Sequence, residues 1–305
     1  MHTKYFREKI DTINNALRGD LVIMDIDSTY TLSNGVEIPC IGFGTWQIPV
    51  GRIAVEAVKE ALRAGYRHID TASIYGNEES VGQAIRQSYI NPHEIFITTK
   101  LWNSDHGYEQ TLKAFELSRR KLGLEVIDLY LIHWPNPKAL RPGYEKHNAE
   151  SWRAMEELYE SGQVRAIGAS NFLPHHLKAL HTTARIEPMV NQIPLYPGNT
   201  QQTTVAYCRQ KGILLEAYSP LGTGQLIKNA EIQKIARKYN KSVAQICLRW
   251  SLQTGFLPLP KSVTPQYIQE NIDIFDFELS TYDLDALSVI EEGVPAAMDP
   301  DRVSF

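Results

Sequence analysis

Cysteine is scarce in this chain: Cys40, Cys208 and Cys247 are the three present, and no two of them form a C-x-x-C pair. An odd number of widely separated cysteines argues against a disulfide framework and against a cysteine-ligated zinc site. We therefore expect no metal centre. Such sparse use of cysteine fits a reducing compartment, so we expect a cytoplasmic protein.

A long apolar run and an excess of basic charge are also missing. No run approaches the roughly 20 residues of a membrane span. Leu21–Met24 is too short for the apolar part of a signal peptide, and Asp25 and Asp27 follow it. The formal net charge is -4, from 31 Lys and Arg against 35 Asp and Glu. Without a basic stripe, neither a nucleic acid nor a membrane is the expected partner, and a small molecule is.

What the sequence does contain is a repeated unit of one short apolar strand followed by one amphipathic helix. The predicted strands end at residues 46, 70, 100, 133, 169, 192, 218 and 260. Because one such unit takes about 30 residues, the pattern predicts an α/β fold of the (β/α)8 type, a TIM barrel. A doubly wound sheet would need G-x-G-x-x-G after the first strand, but Gly42-Phe43-Gly44 has Gln47 at the third glycine position.

The two ends of the chain carry additions to this barrel. An alternating stretch around Asn34-Gly35 predicts a β-hairpin before the first barrel strand. Residues 5–17 have apolar side chains at helical spacing, so residues 1–28 are interpreted as an extension with an amphipathic helix, and residues 29–305 as the barrel domain. We expect a monomer, with the extension as the route to a dimer. The tail from Gly293 to Phe305 and the Asn136–Asn148 loop are expected at the catalytic end.

Functional side chains follow three of the predicted strands. Asp70 ends one strand, with Tyr75 in the loop after it, and Lys100 and His133 end the next two strands. Because the carboxyl ends of barrel strands meet at one face, these four residues are predicted to form one catalytic group.

The chemistry of this group suits protonation of an oxygen that is becoming an alkoxide. An ammonium about 4 Å from a phenol is worth about 4 kcal/mol at the effective dielectric near a protein surface. That energy would lower the pKa of Tyr75 by roughly three units, toward 7. Asp70 would hold Lys100 in place, and His133 would donate a hydrogen bond to a substrate carbonyl. With hydride from a cofactor, the group would reduce a carbonyl.

These residues and several further motifs resemble the aldo-keto reductase family over about residues 29 to 290. The motifs are Gly44-Thr45-Trp46, His68-Ile69-Asp70-Thr71-Ala72, Tyr75-Gly76-Asn77-Glu78, Thr98-Thr99-Lys100-Leu101-Trp102, Asp128 to Pro135, Ile167 to Phe172, Asn191-Gln192, Tyr218 to Gly222, and Pro260 to Pro265 with Glu270-Asn271. Each is weak alone, but all of them in order, at predicted strand ends, are specific.

The resemblance implies an NADPH-dependent reductase of aldehydes and ketones, such as small dicarbonyls and keto-sugars. It implies that Tyr75 is the general acid, that Lys100 and Asp70 tune it, and that His133 orients the carbonyl. It also implies two sets of binding residues. Substrate is expected against Trp46, Tyr75, Trp102, His133 and Trp134. Cofactor is expected along Gly44, Thr45, Trp46, Asp70, Ser170, Asn171, Gln192, Tyr218, Ser219, Leu221, Gly222, Lys261, Ser262, Val263, Thr264, Tyr267, Glu270 and Asn271.

One position departs from the family pattern. Where NADPH-preferring members carry an arginine after Lys-Ser-Val-Thr-Pro-x, this chain has Tyr267. Tyrosine can stack on adenine but brings no charge to the 2'-phosphate, so we expect NADPH with a weakened preference, and use of NADH as well.

Two other functions fit parts of the same pattern. A regulatory subunit of this fold could bind NADPH and sense redox state with little turnover. A barrel aldolase could instead use Lys100 as a Schiff-base nucleophile. The sequence does not identify the physiological substrate.

Overall fold

The computed structural model describes residues 25–305. The helix predicted over residues 5–17, and nearly all of the proposed extension, lie outside the described residues. None of the helices in residues 25–305 has both the length and the apolar character needed to cross a membrane.

An eight-stranded parallel sheet forms the centre of the fold, as the repeating pattern predicted. From the third described strand to the tenth, each strand pairs with the next one along the chain. The first two strands form the predicted antiparallel hairpin around Asn34-Gly35. The strands are β1 Thr29–Thr31, β2 Glu37–Pro39, β3 Phe43–Gly44, β4 His68–Asp70, β5 Phe96–Leu101, β6 Ile127–Ile132, β7 Val164–Ser170, β8 Val190–Pro194, β9 Leu214–Tyr218 and β10 Leu257–Leu259.

Backbone hydrogen bonds between β3 and the last strand close the sheet into a barrel. The amide of Gly42 donates to Pro258 O at 3.0 Å, and the amide of Gly44 donates to Pro260 O at 2.9 Å. A side chain on Gly42 would lie 2.6 Å from His68 and from Leu259, so the closure requires glycine there. The barrel is thus continuous from β3 to β10.

Helices surround the barrel and bury their apolar faces against it. Each βα unit buries the apolar side of its helix, as Val55, Val58 and Leu62 do on the first. Within the described residues the helices are α1 Arg52–Ala64, α2 Glu78–Ser88, α3 Tyr108–Leu122, α4 Tyr144–Glu160, α5 Pro174–His181, α6 Gln202–Gln210, α7 Ala230–Tyr239, α8 Val243–Gln253, α9 Pro265–Ile272 and α10 Thr281–Ser288.

The start of α4 corrects one prediction. The sequence predicted a loop over Asn136–Asn148. The helix begins at Tyr144, directly after Gly143, whose φ of 95° is left-handed. The loop therefore ends at Gly143, the N-cap of the helix, and the segment that borders the catalytic face is shorter than predicted.

Candidate active site

A buried ion pair at the carboxyl ends of β4 and β5 lies at the centre of the site. Lys100 Nζ donates to Asp70 Oδ1 and to Oδ2, both at 2.7 Å, and to Thr71 O at 2.8 Å. Lys100 is fully buried and Asp70 is 4% exposed. All three N–H groups of the ammonium thus donate hydrogen bonds to protein oxygens, and these bonds fix the cation in position.

Tyr75 lies in a short 3-10 turn, Ser73–Tyr75, between β4 and α2. Gly76 ends the turn with a φ of 71°, a left-handed conformation that favours glycine. The Ser73 hydroxyl donates to Lys100 O at 3.0 Å and ties the turn to β5. Lys100 Nζ lies 5.1 Å from the centroid of the Tyr75 ring, so the ammonium and the phenol are neighbours.

The electrostatics of Tyr75 differ from the sequence prediction. Burial and the Asp70 carboxylate raise the pKa of Tyr75 well above its ordinary value, whereas Lys100 was expected to lower it. The main physical reason is burial, which disfavours the charged phenolate, and the Asp70 carboxylate, which also pairs with Lys100, adds to it. Tyr75 therefore keeps its proton across the neutral pH range, which is the state a proton donor needs.

His133 follows β6 and lies edge-on to Tyr75, with ring centroids 5.7 Å apart. Burial, together with the Lys100 charge, lowers the pKa of His133 well below its ordinary value. The imidazole is therefore neutral at physiological pH. A neutral imidazole can donate one hydrogen bond to a carbonyl oxygen without competing as an acid.

Aromatic side chains line the space in front of His133, and one of them was not predicted. The Trp102 ring is 5.2 Å from His133 and stacks on Phe305 at 5.7 Å, and Phe305 also meets Trp134 edge-on at 5.2 Å. Phe305 is the last residue of the chain. Trp134 is 5% exposed, whereas Trp46 is 45% exposed.

The C-terminal tail is fastened to the catalytic face by polar contacts. Lys138 N donates to Phe305 O at 2.9 Å, and Arg141 Nη2 donates to Val303 O at 2.8 Å. Asp301 Oδ1 accepts from Asn136 Nδ2 at 2.8 Å and is 2.9 Å from a histidine on α5. The tail therefore lies at the catalytic end, as expected, and positions Phe305.

That histidine is His176, which with His175 and Asp301 forms a group of three potential metal ligands. Leu173 N donates to His176 Nδ1 at 3.0 Å, so Nδ1 is an acceptor and the proton is on Nε2. A neutral imidazole with its proton on Nε2 donates to a carboxylate there and offers no lone pair to a metal. The contact is thus a hydrogen bond that anchors the tail.

Four residues predicted to hold the nicotinamide end of a cofactor lie together on β7, β8 and β9. Asn171 Nδ2 donates to His133 O at 2.9 Å, and Tyr218 OH donates to Asn171 Oδ1 at 2.8 Å, which fixes the plane of a partly exposed ring. Ser170 Oγ donates to Gln192 O at 2.9 Å. Asn171 has a φ of 63°, a strained value that is typical of functional positions.

The loop after β9 is a second predicted cofactor contact. Ser219 has a φ of 49° and Gly222 a φ of 54°, and Gly222 N donates to Ser219 O at 2.8 Å. A side chain on Gly222 would lie 2.8 Å from Pro295. Gly222 is buried in this turn and Leu221 beside it is half-buried, so the left-handed φ and the close approach of Pro295 favour glycine at this position.

Residues predicted to meet the adenosine end follow β10 and begin α9. Lys261, Val263, Thr264 and Tyr267 are exposed, Tyr267 by 55%. Ser262 Oγ accepts from Thr264 N at 3.0 Å. A cation and two hydroxyls at the start of a helix suit an anionic group. Two further members of this set lie in the last turn of α9, where Glu270 is half-buried and Asn271 is buried.

The remaining predicted contacts join the cofactor residues to the ion pair. Thr45 N and Oγ1 both donate to Asp70 O, at 3.0 and 2.9 Å. A side chain on Gly44 would lie 3.8 Å from Lys261 Cβ, so β3 borders the residues predicted to meet the 2'-phosphate. The observed donors, anchored aromatic ring and exposed cation suit a nicotinamide dinucleotide laid from Asp70 to Lys261.

Comparison with known proteins identifies the class of protein that this barrel and site define. The family model described as the Aldo/keto reductase family matches residues 40–292. The chain belongs to this family, and it is an NAD(P)H-dependent oxidoreductase, as its motifs predicted.

Individual relatives agree with this assignment. Glyoxal reductase from Bacillus subtilis is 49% identical over 280 residues, which cover 92% of this chain and 99% of that protein. The crystal structure of MGS-M4, an aldo-keto reductase from a deep-sea metagenome library of the Medee basin, has a TM-score of 0.85 at 44% identity and covers 90% of this chain and 100% of its own. A variant of Gox0644, solved in complex with NADPH, has a TM-score of 0.84 at 38% identity, with 92% and 99% covered.

Proposed function

We propose that this protein reduces small aldehydes and ketones, dicarbonyls such as glyoxal among them, to alcohols with NADPH as the preferred cofactor. The observation that carries the proposal is the Lys100–Asp70 pair beneath the Tyr75 ring, with neutral His133 edge-on to the same ring. The relative named glyoxal reductase supports the dicarbonyl part, and the NADPH complex of a structural neighbour supports the cofactor.

In the proposed mechanism each catalytic residue has a separate role in the transfer of one proton to the substrate. His133 donates a hydrogen bond to the carbonyl oxygen and aligns the carbon, because its neutral imidazole is rigidly packed. When bound, the reduced nicotinamide supplies the hydride. Tyr75 then gives its proton to the oxygen as negative charge develops there. Lys100 and Asp70 keep the electrostatic field at Tyr75 constant during the transfer, because their charges are paired and immobile.

The binding residues keep the roles that the family resemblance implied. Asn171, Gln192 and Ser170 would hold the carboxamide of the nicotinamide, whose ring would stack on Tyr218. The Ser219–Gly222 turn would pass the pyrophosphate. Lys261, Ser262 and Thr264 would meet the 2'-phosphate. Tyr267 would stack on adenine, with Val263, Glu270 and Asn271 nearby.

The aldolase alternative is weakened by the surroundings of Lys100. A Schiff-base lysine must present an unprotonated nitrogen to its substrate. Here the Lys100 side chain is fully buried, and its nitrogen donates three hydrogen bonds to Asp70 and Thr71. A nucleophilic role would require this pair to come apart.

A panel of carbonyls run with each cofactor tests the proposal. Glyoxal, diketogluconate and nitrobenzaldehyde would each be mixed with NADPH or NADH, and loss of the reduced cofactor's absorbance followed. We expect turnover with NADPH on the small dicarbonyl and on the aldehyde, and slower turnover with NADH. NADPH binding without consumption of any carbonyl would contradict the proposal and indicate a redox-sensing subunit.

The domain boundary is a separate part of the proposal. We propose that residues 29–305 form the complete reductase and that residues 1–28 are an extension outside the barrel. Removing residues 1–28 is then expected to leave turnover intact, and sedimentation of both forms would show whether the extension makes a dimer. Loss of activity on truncation would contradict this division.

A further inference from the structure

A second carboxylate lies inside the barrel directly beneath the ion pair. Glu216 is on β9, two residues before Tyr218, so both side chains are on the same face of the strand. Its strand partner on β8 is Gln192. Glu216 is fully buried, and the sequence analysis did not single it out.

One amide group joins this carboxylate to the catalytic pair. Gln192 Nε2 donates to Asp70 Oδ2 at 2.8 Å and to Glu216 Oε2 at 2.7 Å. The two protons of a single amide are therefore divided between two carboxylates. Lys100, bound to Asp70, is the nearby cation, so two buried carboxylates share one positive charge. Two carboxyl groups so close to each other cannot both ionise without a large electrostatic free-energy cost.

The groups around Glu216 leave it no second counter-charge. On β4, His68 Nε2 lies 3.8 Å from Glu216 Oε1 and is hydrogen bonded to Thr98 Oγ1 at 2.9 Å. Burial and the Lys100 charge lower the pKa of His68 to about 3, so that imidazole is neutral. On the other side β10 contributes Leu257–Leu259, which has no titratable side chain. Among the described residues Glu216 Oε1 has no hydrogen-bond partner.

The charge state of Glu216 follows from these contacts. Burial and the Asp70 carboxylate raise the pKa of Glu216 to about 8, against smaller opposing effects of Gln192 and Lys100. At neutral pH the side chain is thus a neutral acid. Above that pKa, the barrel interior gains one negative charge that no cation matches.

We propose that Glu216 is a positioning residue for carbonyl reduction: while neutral it leaves the Lys100 charge balanced by Asp70, and when it ionises it slows proton donation by Tyr75. The added negative charge favours the protonated phenol, and the Gln192 amide connects it to the Lys100–Asp70 pair. The inference rests on the proposed function, because it concerns the proton that Tyr75 gives to the carbonyl oxygen.

The pH dependence of the chemical step tests this role. Single-turnover oxidation of bound NADPH by nitrobenzaldehyde would be measured between pH 6 and 9. With a pKa of about 8, the neutral fraction falls about tenfold from pH 7 to 9, and the wild-type rate should fall with it. In Glu216→Gln, which keeps a neutral acceptor for Gln192, the ratio of the two rates should approach one. The fall should persist in the control Glu156→Gln, a buried carboxylate that accepts from Arg185 N outside the barrel.

A second readout needs no turnover. Infrared spectra of the protein would show the C=O stretch of a protonated carboxyl that disappears as the pH rises through about 8 and is absent in Glu216→Gln. An ionised Glu216 at pH 6, or an alkaline fall of equal size in Glu216→Gln, would overturn the proposal. A wild-type protein that turns over no carbonyl would refute the proposed function itself, whereas normal turnover without the carboxyl band would refute the role of Glu216 alone.

Discussion

Replacing Asp70 with asparagine is expected to destabilise the fold far more than the loss of an ordinary ion pair would. Lys100 is fully buried, and Asp70 accepts from it with both carboxylate oxygens. Removing one partner of a buried pair leaves an uncompensated charge and costs about 3–5 kcal/mol. The Asp70→Asn protein should lose that much unfolding free energy in urea, with an unchanged dependence on denaturant concentration.

Two further variants locate the cause of this loss. In a Lys100→Met background the same Asp70→Asn change should cost under about 1 kcal/mol, because no buried cation is left unpaired. As a surface control, Glu150→Gln removes a partner of Lys146, a pair whose side chains are 79% and 38% exposed. It should cost at most about 1 kcal/mol. The buried Lys100 charge would not be the cause if Asp70→Asn lost no more unfolding free energy than this control. A loss that persists in the Lys100→Met background would contradict it equally.

Three other substitutions test separate parts of the molecule. Tyr267→Arg should tighten NADPH but leave NADH nearly unchanged, since the new charge meets only the 2'-phosphate; an equal gain in both fluorescence titrations would place Tyr267 elsewhere. Phe305→Ala should raise KM for an aromatic aldehyde about two- to tenfold, from a lost ring contact of about 0.5–1.5 kcal/mol, and leave that for glyoxal almost unaltered. Gly82→Ala would place Cβ 2.1 Å from Leu122 O and should lower urea stability by about 1–3 kcal/mol, unlike Gln83→Ala on the exposed side of the helix.

The barrel was predictable because its signals are local. Each strand is a short apolar run, and several helices end at a glycine, such as Gly65 and Gly123, whose φ values of 110° and 69° are left-handed. Strand ends also placed Asp70, Lys100 and His133 correctly at one face. The start of α4 was not predicted, because a proline followed by a glycine, here Pro142 and Gly143, is common both within loops and just before helices.

Two features of the site, Phe305 and Glu216, were not predicted because they depend on contacts between distant parts of the chain. Phe305 reaches the aromatic side chains because Asn136 and His176 anchor the tail through Asp301, and because Lys138 N donates to Phe305 O. The signal in the sequence was an aromatic residue in the tail that was expected at the catalytic end. Glu216 did carry a signal, a carboxylate within the apolar strand Leu214–Tyr218, but the link through a shared amide needed the fold.

The electrostatics of the proton donor were the least predictable part. A lysine beside a phenol suggested a lowered pKa, yet the sign depends on where the third group lies. Burial raises the pKa of Tyr75, and Asp70, which binds Lys100 with both oxygens, raises it further. The donor is therefore a firmly protonated phenol, and its acidity must arise from the charge that develops on the substrate oxygen.

A Tyr75→Phe protein is the sharpest test of Tyr75 as the proton donor. The change removes one hydroxyl and leaves the aromatic ring that packs beside Lys100 and His133. Single-turnover reduction of nitrobenzaldehyde should fall by about 10²–10⁴-fold, the usual contribution of a positioned acid. NADPH affinity, measured by fluorescence titration, should be retained. Reduction at the wild-type rate would contradict the account, because the proton would then come from another group.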